Sequence, residues 1–431
     1  MPLQVSAGGS LANSLVGIAQ LAAARERFLT PSHQHATTSQ NSSQSSSSPS
    51  SPARQRRIRV AMAGCCGGSD ALGEFGRAQM AAAGVDMVSV DDPTATFAGS
   101  TTGTVMVFTT PDAQRSFLSS FSSEDNIHLT PALLQAVTKS RLLVIEGYLW
   151  ELPGAAEVIP AVVKHARAVG TLVVLTAGDA SVVQRHGAKV LETIQAGVDM
   201  FVSNVGEAHA LQGFLQQQQQ LSQQQQQSAA AAEHLLHEQQ EMQKHSVLLD
   251  PQGSANLDSM WEAGSSSSSI ADGSSSEGQQ VACELAGVCP LVVVTDGSRG
   301  SYITALGQLI VVPPYWRSKA PVDTCGAGDA YCGAFLFAFL LGLDLHAMGH
   351  LAAKTASAVI SRHGPQLLPQ DADGLAGVPL GRCTLATQLL SGGSGSSSTS
   401  GMGLDSVQLQ ALGLGVDASV AAGQLLQGAS T

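Results

Sequence analysis

Charged and aromatic residues are what this chain has least of. Asp, Glu, Lys and Arg make up 13% of its 431 residues and aromatics 4%, where an ordinary globular protein has about 25% charged residues. Part of the chain is therefore filler that adds nothing to a packed core. Basic residues are outnumbered 21 to 33, for a net charge of −12. Binding a phosphate backbone needs a basic face, so nucleic acid is excluded as a main partner. No apolar run reaches the roughly 18 residues of a membrane span, so no membrane partner is expected. Met1–Gln20 has neither the basic segment nor the cleavage site of a secretory leader. The cysteines at 65, 66, 283, 289, 325, 332 and 383 include no Cys-x-x-Cys pair, which argues against a disulfide framework and a structural zinc site. A reducing compartment fits, and the cytoplasm is expected. No repeat of fixed period indicates a solenoid.

The filler is localised. Residues 32–55 and 263–280 are Ser-rich, residues 216–245 carry two blocks of five Gln, and 391–403 are Gly/Ser-rich. Such stretches cannot bury a core. The Gln-rich stretch reads as a solvated helix or as disorder. The organisation expected is one domain over residues 1–380, with disordered inserts at 32–55 and 214–280 and a low-complexity tail at 381–431. The inserts fall between structured blocks, as enlarged surface loops do.

Short apolar runs punctuate the rest. Ile58–Ala63, Leu142–Glu146, Leu172–Leu175 and Leu291–Thr295 read as strands apolar on both faces, and Asp199–Ser203 as a weaker fifth. Such strands belong to parallel sheets covered on both sides. Helical patterns alternate with them at Glu74–Ala83, Ala155–Val169, Ser181–Ala196 and Ala327–Leu341. The fold class expected is α/β: a doubly wound, mainly parallel sheet with helices on both faces. Thr104–Thr109 reads as a strand ending in a turn, and Ser301–Thr304 with Gln308–Val312 as a hairpin.

The strongest chemical signal is residues 323–336, DTCGAGDAYCGAFL. A Gly-Ala-Gly turn opening an apolar helix aims backbone N–H groups at one point, and the helix dipole adds positive potential there. Gly326, Ala327 and Gly328 thus read as an anion cradle. Asp329 follows in the first turn, placed to accept a proton from an attacking hydroxyl. An anion cradle with a carboxylate base is what phosphoryl transfer to an alcohol requires. The plain alternative is a helix start whose Asp only complements the dipole.

These fourteen residues resemble the second signature of the ribokinase-like (PfkB-type) carbohydrate and nucleoside kinases. The resemblance implies that Asp329 is the catalytic base and that the amides around Gly326, Ala327 and Gly328 stabilise the transferring phosphoryl group. Gly8-Gly9-Ser10-Leu11-Ala12-Asn13 resembles the first signature, which implies that Gly8, Gly9 and Asn13 bind the acceptor. Gly64–Phe75 resembles the family's glycine-and-acid loop, with one extra residue and a Cys-Cys pair, and no substrate contact is assigned there. Thr102–Ser116 resembles the strand pair beside the acceptor, which makes Arg115 a candidate contact; a solvated Arg is the alternative. Glu146–Trp150, EGYLW, resembles adenosine-kinase-like members, and Trp150 reads as core packing. Asn204-Val205-Gly206-Glu207 resembles the NxxE motif, which implies that Asn204 and Glu207 hold Mg²⁺ through water. Thr295–Gly300 resembles the turn that lines the nucleotide phosphates, which assigns Thr295, Gly297 and Gly300, with Thr324, to ATP. Ala352–Gly364 resembles the helix that covers adenine.

The resemblance implies an ATP- and Mg²⁺-dependent kinase acting on a primary hydroxyl of a nucleoside or sugar, adenosine-kinase-like by preference. A ribose- or fructose-type sugar kinase is the first alternative, and a non-catalytic kinase-fold scaffold the second. The partner expected is a small-molecule substrate, and the chain a monomer or homodimer. Family members open with a strand and an acidic motif that grips the acceptor. Here Met1 stands only a few residues before Gly8, so that strand is expected to be missing and the β lid incomplete. A plastid is the alternative location if an N-terminal segment is missing.

Overall fold

The computed structural model describes residues 8–29, 57–63, 70–88, 102–110, 115–120, 127–245, 276–315, 320–377 and 385. The Ser-rich insert at 32–55, most of 263–280 and the tail beyond 385 lie outside the described residues. In chain order come α1 (Ser10–Leu29), β1 (Val60–Met62), α2 (Ala71–Ala82), β2 (Val85–Met87), β3 (Thr104–Thr109), β4 (Arg115–Ser120) and α3 (Pro131–Thr138). Next are β5 (Leu142–Glu146), α4 (Ala155–Val169), β6 (Leu172–Thr176), α5 (Ala180–Gly197), β7 (Met200–Asn204), α6 (Val205–His245) and α7 (Glu277–Leu285). The last are β8 (Leu291–Thr295), β9 (Ser301–Ala305), β10 (Gln308–Val312), α8 (Ala327–Leu340), α9 (Leu345–Val359) and α10 (Pro369–Asp373).

The main sheet has the order β10-β9-β8-β7-β6-β5. Strands β5 to β8 are parallel, and β9 and β10 close the far edge as an antiparallel hairpin. Each inner strand is rich in β-branched residues, whose stiff side chains suit a pleated surface. Successive residues point to opposite faces. Leu172, Val174, Met200, Val202, Leu291 and Val293 enter one core, beneath α1, α8 and α9. Val173, Leu175, Phe201, Val292 and Val294 enter the other, beneath α4, α5, α6 and α7. The doubly wound α/β architecture expected from the apolar runs is what forms.

One helix crossing positions the site. Residues Ala330 to Phe339 of α8 are all buried, so this helix is apolar all round and lies inside the protein. Helix α1 crosses it closely, because Gly333 has no side chain: a Cβ there would stand 2.5 Å from the Ser14 carbonyl oxygen. The start of α1 is thereby brought against the first turn of α8.

Two elements differ from expectation. The strand foreseen over Ile58–Ala63 is the shorter β1, which pairs in parallel with β2 in a separate two-stranded sheet. Among the described residues the main sheet ends at β5. Helix α6 runs to His245, through residues where a disordered insert was foreseen from 214. A capped start launches it, and Gln and Ala are good helix formers; Gln218 pairs with Gln195 of α5 at 2.9 Å. From Gln216 to His237 it is exposed throughout. Strands β3 and β4 form an antiparallel hairpin that pairs Thr104 with Ser120 through to Thr109 with Arg115.

Candidate active site

Strands β5, β6, β7 and β8 end at Glu146, Thr176, Asn204 and Thr295. Ligands of open parallel sheets collect at this carboxyl edge, where the following helices start. The N-termini of α6 and α8 face the same region, and so does the beginning of α1.

Asp329 sits at the centre. Ser10 Oγ donates to its Oδ1 at 2.7 Å, and Asn13 Nδ2 to its Oδ2 at 2.8 Å. The Ser14 hydroxyl donates to its backbone carbonyl at 3.1 Å. The glycine-and-Asn segment and the DTCGAGD segment, over 300 residues apart in the chain, therefore build one site. Asn13, foreseen as an acceptor contact, is buried, and its Nδ2 grips the carboxylate. Its Oδ1 is buried without a hydrogen-bond partner among the described residues.

Helix α8 begins at Gly326, whose φ is +75° and which offers no side-chain cap. A Cβ there would lie 2.1 Å from the Pro365 carbonyl oxygen, so glycine is required both for the turn and for the close approach. Nothing lies within 4 Å of where a Cβ on Gly328 would be. The Gly326–Gly328 turn thus leaves the positive end of a 14-residue helix without a capping side chain and open beside Gly328. Asp323 ties the turn down: it accepts from Cys325 N at 2.9 Å and from Gly364 N at 3.3 Å.

Glu146 is the site residue that sequence reasoning missed. It is 5% exposed. Its Oε1 accepts from Thr176 Oγ1 at 3.0 Å, and its Oε2 is buried without a hydrogen-bond partner among the described residues. Burial, then the charge of Asp329, push its carboxyl up to about 7. A signal was present: LLVIE ends a buried apolar run in a carboxylate, which is costly unless the group has work to do. The next residue but one, Tyr148, lies within the field of Asp179, Glu146, Glu207 and Asp329, and desolvation together with these charges raises its hydroxyl.

The NVGE segment forms a reciprocal cap at the start of α6. Glu207 accepts from Asn204 N at 2.8 Å and Asn204 Nδ2 at 2.6 Å, while Asn204 Oδ1 accepts from Glu207 N at 2.9 Å. Desolvation, then Asp179 and Asp329, raise Glu207 to about 7. Among the described residues no three His, Cys, Asp or Glu side chains are grouped to hold a metal ion directly. A Glu207 oxygen that keeps a lone pair beyond its cap contacts can still accept from a water on an ion.

The foreseen nucleotide residues lie on one turn and one loop. Thr295 Oγ1 donates to the Ser203 carbonyl at 3.4 Å. Gly297 and Gly300 bracket a short helical turn, in which Asp296 takes a two-pronged contact from Arg299 at 2.7 Å. The Thr324 carbonyl accepts from Ala327 N at 3.3 Å. Gly8 and Gly9 are exposed just ahead of α1. Arg115 opens β4; the structure does not describe its side chain.

Residues 263–372 match the family model of pfkB family carbohydrate kinases. This chain is 40% identical over 75 residues to a nucleoside kinase of Methanocaldococcus jannaschii, a stretch covering 17% of this chain and 24% of that protein. It thus spans about a quarter of that relative's length. Its fold is similar to that of adenosine kinase from Sinorhizobium meliloti, with a TM-score of 0.56 at 22% identity over 87% of this chain and 84% of the other. A putative ribokinase II from E. coli, solved with ATP and Mg²⁺, gives a TM-score of 0.52 at 13% identity, over 87% and 92% of the two chains. At these identities the likeness is one of fold, and this chain has the ribokinase-like α/β fold.

Proposed function

We propose that this protein is an ATP-dependent kinase that phosphorylates a primary hydroxyl of a nucleoside or sugar, with a nucleoside of the adenosine type preferred. One observation carries the reading: the Asp329 carboxylate is clamped by Ser10 and Asn13 in the first turn of a helix whose N-terminus no side chain caps.

In this reading Asp329 takes the proton of the acceptor hydroxyl as that oxygen attacks the γ-phosphorus, and ADP leaves. The amides of Gly326, Ala327 and Gly328 stabilise the charge on the transferring group. The Ser10 and Asn13 contacts hold the carboxylate in one orientation, so that little reorganisation accompanies proton transfer. Glu146 Oε2 and Asn13 Oδ1, two buried acceptors with no hydrogen-bond partner among the described residues, suit donation from hydroxyls of the acceptor. Gly8 and Gly9 border the acceptor, and Thr295, Gly297, Gly300 and Thr324 the nucleotide. Asn204 and Glu207 would hold Mg²⁺ through water, and the ion, when bound, supplies charge neutralisation for the phosphates. The EGYLW run and the nucleoside kinase among the relatives support the nucleoside preference. The cytoplasm suits the thiols of Cys283, Cys289 and Cys332, which stand outside any disulfide.

The test is turnover of ATP with Mg²⁺ against adenosine, ribose and fructose separately, beside Asp329→Asn. The substitution should lower kcat by about a thousandfold, as loss of a general base does, with nucleotide binding retained. Near-normal turnover in Asp329→Asn would sink the assignment of the base. Nucleotide binding without turnover of any acceptor would favour a scaffold.

A further inference from the structure

The β3–β4 hairpin, described over residues 102–110 and 115–120, has little to hold it among the described residues. Val105, Met106, Val107 and Phe108 alternate between its faces, yet all are 43–56% exposed, and Phe117 and Leu118 are 54% and 57% exposed. Neither face is packed away, and an isolated two-stranded hairpin is marginal in water. What the structure does show is a polar tie at its root. Asp70, on the loop before α2, accepts from Thr102 N through Oδ2 at 2.8 Å and from Thr102 Oγ1 through Oδ1 at 2.5 Å. Its Oδ1 also accepts from Gly73 N at 2.8 Å, capping α2. One carboxylate therefore joins the first turn of α2 to the residue two places before β3. Capping alone needs one oxygen; the second reaches Thr102 N.

We propose that Asp70 is a positioning residue that locks the root of the β3–β4 hairpin onto the start of α2 and so fixes the stance of the hairpin, which the kinase reading sets beside the acceptor. The lock itself rests on the contacts above; its effect on catalysis rests on the kinase reading. The carboxylate is the fitting group, since a charged acceptor roughly doubles the strength of each N–H or O–H contact. The Thr102 hydroxyl, followed by the backbone amides of Thr102 and Gly73, holds its carboxyl down to about 2, so the tie persists through the working pH range.

Asp70→Ser separates the two roles. Serine is a good helix cap for Gly73 N, but it has no second oxygen for Thr102. Hydrogen exchange on the full chain should show the α2 amides protected as in wild type, and the Thr102–Thr104 amides exchanging about tenfold faster. In turnover assays the acceptor KM should rise about tenfold, with the KM for ATP unchanged. Thr102→Val, which removes the hydroxyl and keeps the backbone N–H, should move both readouts the same way by less, and it keeps the test open if the serine variant folds poorly. Unchanged exchange at 102–104 overturns the lock. Faster exchange with an unchanged acceptor KM overturns the positioning role. A wild-type protein that phosphorylates no acceptor sinks the kinase reading, and the exchange comparison then decides the lock by itself.

Discussion

Asn13 Nδ2 donates to Asp329 Oδ2 at 2.8 Å, a contact between residues 316 positions apart in the chain. The amide is a second clamp on the proposed base, and Ser10 is the first, at 2.7 Å. Hydrogen bonds to a charged group contribute about 1.5–3 kcal/mol each. Asn13→Ala should therefore lower kcat at least tenfold, and combining it with Asp329→Asn should add little, because the clamp has nothing left to orient. A double-mutant cycle on kcat checks this; additive losses would show that Asn13 acts apart from Asp329.

Glu146 predicts a pH dependence of stability. Its folded carboxyl, at about 7, lies above its ordinary 4.5. Between these values the folded state keeps a proton that the unfolded chain has released. Its contribution is fully present below about 4.5 and is lost as pH rises to about 7. The shift corresponds to about 3 kcal/mol across that window. Glu146→Gln should be more stable than wild type at pH 8 and show a shallower decline from pH 4.5 to 7. Urea midpoints across the range measure it. A slope unchanged by the substitution would place the titration elsewhere, with Glu207, also raised to about 7, the first group to examine.

Glu207 carries two duties that one substitution separates. Glu207→Gln keeps one oxygen, which can still accept from Asn204 N, so α6 should keep its helicity by circular dichroism. The lost charge should raise the Mg²⁺ concentration needed for half-maximal turnover about tenfold, if the carboxylate orders water on the ion. Loss of helicity with an unchanged Mg²⁺ requirement would make the residue a cap alone.

Gly326→Ala tests the cradle turn. The new Cβ would stand 2.1 Å from the Pro365 carbonyl oxygen, on a residue with φ of +75°. Such a conformation costs about 1–2 kcal/mol even without the clash, so Tm should fall by at least about 2 °C. A Tm within a degree of wild type would mean that the 364–366 loop yields freely.

Much of the fold was legible because its causes are local. Val173 and Val174 differ by one position and enter opposite cores, a consequence of strand pleating that the unbroken apolar runs already encode. The DTCGAGD turn was legible for the same reason: a glycine at positive φ and an aspartate in the next turn are nearest neighbours in the chain. Helix α6 was harder to read, because Gln-rich sequence is compatible with helix or coil, and the Asn204–Glu207 cap with the Gln195 contact favours helix.

By itself the sequence determined the layers, the parallel strands and the glycine turn that opens α8, since hydrophobic period and turn chemistry act over a few residues. Tertiary structure alone decided what Asn13, Glu146 and Asp70 do. Asn13 reaches Asp329 because α1 crosses α8 at Gly333, where only a missing Cβ lets the backbones approach. Glu146 becomes a raised carboxyl because the sheet edge, α1 and α8 together exclude water from it. Asp70 meets Thr102 across 32 residues. Packing brings these groups together and removes their water, and both effects depend on elements distant in the chain.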